Sequence, residues 1–264
     1  MSELVLGAVA YDAKVVPIWE GFKAYFASRG LAFDFVLYSN YERQVAAQLR
    51  GEVDVAWNSP LAWIHTRRAA PDRARAIAMR DTDRDLTSVV LVRADPGPGA
   101  AVMRSVADLR TVGVGARDSP QATLIPLLAL ADAGARVEAV HHDVLVGKHG
   151  DHVGGERDAV KALLAGAVDA ACVIDGNRLA FAREAMFAPG ELRVLLQTAP
   201  YDHCNFTVLD ETPVIAQFRE LLLAMSYDDP AVRPLLDLEG LTKWLPGRIS
   251  GYALLERAVD ARPR

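Results

Sequence analysis

The chain alternates between two kinds of apolar pattern, and this alternation limits the folds that are open to it. Short apolar runs typical of buried strands, at 4–10 and 33–38, are each followed by apolar residues at helical spacing, at 16–29 and 41–49. A further buried strand is expected at 53–57. Because repeated strand–helix units place helices on the faces of a parallel or mixed sheet, the sequence predicts an α/β fold.

A second strand–helix series follows the first, and part of it is an echo of the first. "LRGEVDVAW" at 49–57 and "LAGAVDAAC" at 164–172 each suggest a helix end, a glycine suited to left-handed backbone, and a strand that opens with Val-Asp. The Pro/Gly cluster at 95–100 is the strongest break between the two series. We therefore predict two similar lobes, the first formed by 1–92 plus 198–264 and the second by 93–197.

The aspartates of this echo, Asp54 and Asp169, are interpreted as structural residues, since each begins a strand directly after a glycine cap. Neither cysteine suggests a disulfide framework: the chain has only two, Cys172 and Cys204, and Cys172 lies in an apolar run typical of a buried strand.

Composition excludes several classes of partner. With 264 residues and 51% apolar content the chain can bury a large core, and its net charge of -5 comes without long blocks of like charge. Nucleic acid and membrane surfaces are therefore not expected partners. The expected partner is a small molecule. No apolar run approaches the ~20 residues of a membrane span. The apolar stretch 4–10 is too short for a secretory leader, so a cytoplasmic location is expected as written, and a periplasmic or extracellular one if a leader has been removed.

Polar clusters follow several of the predicted strands. In α/β sheets, ligands bind where strands end and helices begin, so we expect a ligand cleft between the two lobes, lined by these clusters. The clusters are Tyr11-Asp12, Asn58-Ser59-Pro60, Asp118-Ser119-Pro120-Gln121, Asp175-Gly176-Asn177 and Tyr201-Asp202-His203-Cys204-Asn205.

With these residues in view, the chain resembles the substrate-binding proteins of phosphate, phosphite and phosphonate ABC importers. The resemblance is collinear over 4–175 and rests on five segments: "LGAVAYD", "NYERQVAAQLRGEVDVAWNSPLAWI", "LTSVVLVRAD", "SVADLRTVGVGARDSPQATLIPLLAL" and "GGERDAVKALLAGAVDAACV". It implies a two-lobed type II periplasmic-binding-protein fold with mixed sheets flanked by helices.

The resemblance also implies where an anion would sit. The family holds it at a helix start rich in hydroxyls, by backbone N–H groups and side chains. The corresponding residues here are Ser119-Pro120-Gln121-Ala122-Thr123, in which Pro120 removes a donor and an amide replaces a hydroxyl. A second departure is Arg157, which stands where the family carries a histidine. A cation at that place still suits an anionic ligand.

The loop "VGKHGDHVGGE" at 146–156 has three interpretations. His149, His152 and Glu156 have the side chains of a transition-metal site but no recognised zinc spacing, and a glycine-rich loop with histidines is commonly just solvated. The preferred interpretation is that the loop precedes a helix of the second lobe and contacts an acidic ligand through Lys148, His149 and Arg157.

The segment 201–205 is the second unusual cluster. His203 beside Cys204 invites a nucleophile interpretation, but catalysis requires neighbours in space, and sequence neighbours point in different directions. Hydrogen bonding of His203 to a ligand is therefore favoured.

The sequence leads to one preferred function and one alternative. The preferred function is a binding protein, without cofactor, that captures a small anionic or zwitterionic ligand and has an ABC permease as possible partner. The alternative is a cytoplasmic enzyme on the same fold, cofactor-free or metal-assisted, since relatives of the fold include chorismate dehydratase. The expected ligand-binding residues are Tyr11, Asn58, Ser59, Ser119, Gln121, Thr123, His149, Arg157, Asp175 and His203.

Overall fold

The computed structural model describes residues 3–95, 97, 101–150 and 154–262. Its strands are β1 Leu4–Val9, β2 Phe33–Tyr38, β3 Val55–Asn58, β4 Arg75–Arg80, β5 Ser88–Arg93, β6 Thr111–Val114, β7 Glu138–His141, β8 Ala170–Ile174, β9 Leu192–Gln197, β10 Asn205–Val208 and β11 Trp244–Pro246. Its α-helices are α1 Val15–Ala27, α2 Tyr41–Leu49, α3 Pro60–Ala69, α4 Ile125–Asp132, α5 Glu156–Leu164, α6 Asp175–Arg183, α7 Pro213–Leu223, α8 Arg233–Glu239 and α9 Ala253–Asp260.

The chain divides into two compact units. Met1–Asp85 and Asp202–Tyr252 form the first, and Leu86–Tyr201 and Ala253–Arg264 form the second. The expected borders were 92/93 and 197/198, so β5 belongs to the second unit rather than the first. The last helix also differs from the expectation, because α9 packs against α4, and Arg257 pairs with Asp132 at 2.8 Å.

The first unit contains a six-stranded mixed sheet in the order β11-β4-β10-β3-β1-β2. β1 runs parallel to β2 and β3, whereas β10 is antiparallel to both β3 and β4. The helical spacing predicted in α1 places one face of this helix in the core. That core is largely aromatic, and its buried rings include Trp19, Phe22, Phe26, Phe33, Trp57, Phe206, Phe218 and Trp244.

The second unit contains a five-stranded mixed sheet in the order β7-β6-β8-β5-β9. The four central residues of its strand β5, 89–92, are all apolar because both faces are covered: Val89 and Leu91 pack on the side of α5, and Val90 and Val92 on the side of α4. This is the physical reason for a continuous apolar run rather than an alternating one.

The echo between the units has the predicted structural role. Gly51 and Gly166 have φ of 74° and 72°, the left-handed backbone that glycine adopts without steric cost. Oδ2 of Asp54 accepts a hydrogen bond from Val5 N at 2.8 Å, and Oδ2 of Asp169 accepts one from Thr111 N at 2.9 Å. Both aspartates therefore tie a strand to its neighbour, which confirms their structural interpretation.

Both cysteines are buried, and neither forms a disulfide. Cys172 lies in β8, as predicted. Among the described residues, no helix has the length and apolar character required to cross a membrane.

Candidate functional site

Each unit contains a helix that begins with the same Ser-Pro construction after a strand. In the first unit, Ser59 caps α3 and its Oγ accepts a hydrogen bond from Ala62 N at 3.1 Å. In the second unit, Ser119 caps the turn Pro120–Leu124, and its Oγ accepts from Ala122 N at 3.2 Å. Proline at the first position suits a helix start, because the N–H it lacks would have no intrahelical acceptor there.

The helix that follows Ser119 begins with an irregular turn. Pro120–Leu124 is a π-helical turn, in which Leu124 N bonds the carbonyl of Ser119 five residues back at 3.0 Å, and α4 follows only at Ile125. Such turns occur frequently at functional sites. Neither this turn nor the start of α3 carries an acidic residue in its first turn. The positive end of the α3 dipole is therefore not offset by a carboxylate of its own first turn, whereas Asp118 directly precedes the Ser119 cap.

In the first unit, two buried amides lie beside the start of α3. Nε2 of Gln44 donates to Oδ1 of Asn58 at 2.8 Å and to the carbonyl of Trp57 at 2.9 Å. Within the described part of the chain, Nδ2 of Asn58 and Oε1 of Gln44 have no hydrogen-bond partner, although both residues are fully buried. A buried polar atom without a partner costs about 1–3 kcal/mol, so these atoms require an explanation.

In the second unit, unpartnered oxygens lie beside the Ser119 turn. Oδ2 of Asp118 accepts from Gly147 N at 2.6 Å, and Nε2 of Gln121 donates to the carbonyl of Gly150 at 2.7 Å. The other oxygen of each side chain, Oδ1 of Asp118 and Oε1 of Gln121, is buried without a partner among the described residues. The unpartnered atoms beside the Ser119 turn are therefore both hydrogen-bond acceptors, whereas those beside the start of α3 are one donor, on Asn58, and one acceptor, on Gln44.

The loop that follows β7 packs directly on the Ser119 turn. Gly150 has φ of 61°, and a Cβ placed on it would lie 2.5 Å from Cβ of Ser119. His149 is fully buried and also has left-handed backbone, with φ of 54°. The loop and the Ser119 turn therefore lie against each other within the second unit. His152, a candidate metal ligand, lies outside the described residues.

The π-helical turn is held from its other side by hydroxyl groups. Oγ of Ser88 donates to the carbonyl of Gln121 at 2.5 Å and lies 2.6 Å from the hydroxyl of Tyr201. Thr123 is buried, and its Oγ1 donates to the carbonyl of Ala116 at 2.8 Å. That contact gives Thr123 a structural role in the turn, in addition to the ligand role expected from the sequence.

Glu156 is a buried carboxyl at the start of α5. Its Oε2 accepts hydrogen bonds from Ile174 N at 2.9 Å and from Nδ2 of Asn177 at 3.0 Å, whereas its Oε1 has no partner among the described residues. Burial raises the pKa of Glu156 to about 8, against the smaller opposing effect of these two hydrogen bonds. Glu156 is therefore largely protonated at neutral pH.

Arg157 and Asp175 are both engaged with neighbours in the second unit. Nη1 of Arg157 lies 2.6 Å from Oε2 of Glu184, and its guanidinium lies 4.5 Å from the centre of the Phe181 ring. Oδ1 of Asp175 accepts from Nε of Arg178 at 2.6 Å. In the first unit, Tyr11 is partly buried, with the Lys14 ammonium 5.9 Å from the centre of its ring.

His203 belongs to a buried ionic cluster in the first unit that the sequence did not indicate. Its Nδ1 lies 3.4 Å from Oδ1 of Asp83 and 3.1 Å from Sγ of Cys204. Asp83 in turn receives both Nε and Nη2 of Arg80, at 2.5 and 2.9 Å. Burial alone would raise the pKa of Asp83, but the Arg80 charge and the hydrogen bonds to the carboxylate hold it at about 2.

The same cluster contains Glu239, whose Oε1 lies 3.3 Å from Nη1 of Arg80. Burial raises the pKa of Glu239 to about 7. The available sequence signal was the dense run "RDTDRD" directly after an apolar stretch, since charges that border a buried strand often pair with one another.

The cysteine of this cluster is not arranged as a catalytic nucleophile. In a nucleophile–histidine–carboxylate triad, the nucleophile and the carboxylate bind opposite nitrogens of the imidazole. Here both Cys204 and Asp83 approach the same atom, Nδ1 of His203.

Two α/β units with polar groups at strand ends and helix starts are the arrangement expected of a ligand-binding α/β protein. The model of the ABC transporter, phosphonate, periplasmic substrate-binding protein family matches residues 8–252. The chain therefore belongs to this family, and the predicted resemblance and fold class are confirmed.

Solved structures of similar fold agree with this assignment. A Prochlorococcus marinus protein in complex with methylphosphonate has 16% identity and a TM-score of 0.71, with 97% of each chain covered. A Xanthomonas citri protein bound to a chloride ion has 18% identity and a TM-score of 0.72, with 98% of this chain and 99% of that one covered. A binding component of an ABC phosphonate transporter from Pseudomonas aeruginosa has 14% identity and a TM-score of 0.62, with coverage of 98% and 86%.

At such identities the solved structures establish the fold, and the family match carries the assignment to solute binding. A comparison with curated protein sequences found no match.

Proposed function

We propose that this protein captures a small anionic or zwitterionic ligand of the phosphonate class and delivers it to the permease of an ABC importer, outside the cytoplasm. Membership of the phosphonate substrate-binding family supports the ligand class, the partner and the location together. The solved relative that holds methylphosphonate supports a ligand of this size.

The observation that carries the proposal is the set of unpartnered polar atoms beside the two Ser-Pro helix starts. Nδ2 of Asn58 is a buried donor next to the start of α3, whereas Oδ1 of Asp118 and Oε1 of Gln121 are buried acceptors next to the Ser119 turn. Each unpartnered atom costs about 1–3 kcal/mol, and a ligand that supplies the missing partners recovers this cost on binding.

The chemistry of these atoms selects the ligand. A helix start without a first-turn carboxylate favours an anion, and Asn58 adds an N–H donor toward it. The acceptors at Asp118 and Gln121 favour a ligand that also carries donors, such as an ammonium group or a protonated acid oxygen. These acceptors of the second unit favour a zwitterionic phosphonate over a fully ionised simple anion.

The remaining expected residues have graded roles in this proposal. His149 and Gln121 contribute to ligand binding by holding the loop after β7 on the Ser119 turn. Ser59 and Ser119 contribute by capping the two helix starts. Arg157, whose side chain pairs with Glu184, contributes positive charge at longer range. Four further residues are ligand-binding candidates, and an alanine substitution at each can test them one at a time: Tyr11, Thr123, Asp175 and His203.

A ligand screen with three variants tests the proposal. We expect methylphosphonate or an aminoalkylphosphonate to raise the melting temperature of the wild type, with phosphate and alkanesulfonates as competitors, since binding stabilises the folded state by mass action. Asn58→Ala and Asp118→Asn should each weaken binding about 10-fold or more. Asn40→Ala is the matched control, because the side chain of Asn40 caps α2 by accepting a hydrogen bond from Arg43 N.

Two results would contradict the proposal. One is the absence of a thermal shift with every phosphonate, and the other is an unchanged affinity in both site variants. Location and partner are tested separately, by fractionation of cells that express the native gene and by cross-linking to the permease. Recovery of the protein in the cytoplasm would overturn the proposed location.

A further inference from the structure

We propose that Asp83, His203 and Cys204 form a binding site for one divalent transition-metal ion, with Zn²⁺ as the reference ion. The three side chains lie in the first unit, and one ligand atom from each lies within 4.8 Å of the others. All three residues are buried. Carboxylate, imidazole and thiolate are the protein ligands that zinc prefers.

The distances between the ligand atoms fit a shared metal ion. Tetrahedral zinc with ordinary bond lengths would place the imidazole nitrogen about 3.3 Å from the carboxylate oxygen and about 3.6 Å from the sulfur. Nδ1 of His203 lies 3.4 Å from Oδ1 of Asp83 and 3.1 Å from Sγ of Cys204. The first distance matches the tetrahedral value, and the second would have to lengthen by about 0.5 Å, which a rotation of the Cys204 side chain can provide.

Hydrogen bonding alone satisfies this arrangement poorly. Nδ1 carries at most one hydrogen, so it can donate to Asp83 or accept from the thiol of Cys204, but it cannot do both. The second contact is then at best the weaker branch of a three-centre hydrogen bond. A metal ion bound to Nδ1, Oδ1 and Sγ satisfies all three at once.

Neighbouring side chains hold the Asp83 carboxylate in place, as hydrogen-bonding neighbours of metal ligands commonly do. Arg80 binds Asp83 with two N–H groups, and Glu239 on the other side of Arg80 offsets its positive charge. The backbone N–H of His203 donates to the carbonyl of Asp83 at 2.8 Å, which fixes the two ligand segments relative to each other. Such partners orient ligands and increase metal affinity.

The site also has a route for entry and a place in the chain. The Asp83 side chain is 2% exposed, whereas that of His203 is 10% exposed, so an ion would enter along the imidazole. Asp83 lies shortly before Leu86, where the chain enters the second unit, and His203 lies shortly after Tyr201, where the chain leaves it. A metal ion here would cross-link these two segments.

Cobalt and zinc titrations of the full chain test this inference. We expect wild type to bind one Zn²⁺ in competition with a chromophoric chelator, and Co²⁺ to give a thiolate-to-cobalt charge-transfer band. Cys204→Ala should abolish that band. Both Cys204→Ala and His203→Asn should also weaken zinc binding more than about 100-fold. Loss of a residue that only hydrogen-bonds to a ligand already costs about 10–100-fold in metal affinity, and loss of a ligand should cost more. Cys172→Ala is the matched control, because Cys172 is the other free, buried cysteine.

The outcomes separate the alternatives. A charge-transfer band that survives in Cys172→Ala and is lost in Cys204→Ala supports the site. No stoichiometric binding, or binding that Cys204→Ala and His203→Asn leave intact, overturns it. Binding that is lost instead with His149→Ala would assign the metal to the loop at 146–156 and would likewise overturn it. Circular dichroism of each variant establishes that the fold is retained, and His203→Gln repeats the test should His203→Asn fail to fold.

Discussion

The buried carboxyl of Glu156 should make the stability of the protein fall as pH rises. In the folded state its pKa is raised by burial to about 8, whereas an exposed glutamate titrates near 4.5. Between these two values the folded state holds a proton that the unfolded state has released. The stabilisation is therefore fully present below pH about 4.5 and is lost as pH rises through about 8.

The structure sets the size of this effect. At 1.36 kcal/mol for each pH unit, displacement of the pKa from 4.5 to about 8 amounts to about 5 kcal/mol. This is a large share of the ~5–15 kcal/mol that stabilises an ordinary domain. Glu156→Gln removes the titration while keeping an oxygen for Ile174 N and Asn177. We therefore expect the variant to gain stability relative to wild type as pH increases.

Urea unfolding between pH about 5 and about 8 checks the prediction. Circular dichroism is the appropriate signal, because Trp19, Trp57, Trp63 and Trp244 all lie in the first unit and Glu156 lies in the second. Glu138→Gln, at an exposed position of β7, serves as the control and should follow wild type. Parallel pH profiles for wild type and Glu156→Gln would refute the reasoning.

Three further predictions follow from single contacts. Ser119→Ala and Thr212→Ala each remove a side-chain cap from a helix start with proline, so both should destabilise the protein by about 1 kcal/mol. Calorimetry should show weaker phosphonate binding for Ser119→Ala only. Arg248→Ala leaves the buried carboxylate of Asp202 without its guanidinium partner and should cost about 3 kcal/mol in urea unfolding, whereas a loss below 1 kcal/mol would show that Asp202 is otherwise satisfied. Gly150→Ala forces a Cβ against Ser119 and should lower both the melting temperature and the phosphonate affinity, and an unchanged affinity would separate the loop from the site.

Local patterns predicted most of the fold, since the signals that produce strands and helices lie within a few residues. The period of the apolar residues located β1, α1 and β2, and the glycines at 51 and 166 marked helix ends that the structure confirms. Asp54 and Asp169 could be interpreted because each acts on the strand beside its own. The family followed from the order of such segments along the chain.

The contacts that join distant parts of the chain could not be predicted in the same way. The last helix, α9, was assigned to the wrong unit. An apolar helix face can pack on any complementary surface, and the sequence does not show that this surface is α4. The cluster of Asp83 with His203 joins residues 120 positions apart along the chain. Nothing in either segment alone specifies that pairing.

Sequence by itself therefore determined the alternating strands and helices, the two related halves and the family, because these depend on short-range geometry and on residue order. Tertiary structure alone decided which polar atoms are buried without partners, where the loop after β7 packs, and how far the pKa of Glu156 is raised. Burial is a property of the whole fold, and the same carboxyl, amide or imidazole acquires its chemistry only from the neighbours that folding places around it.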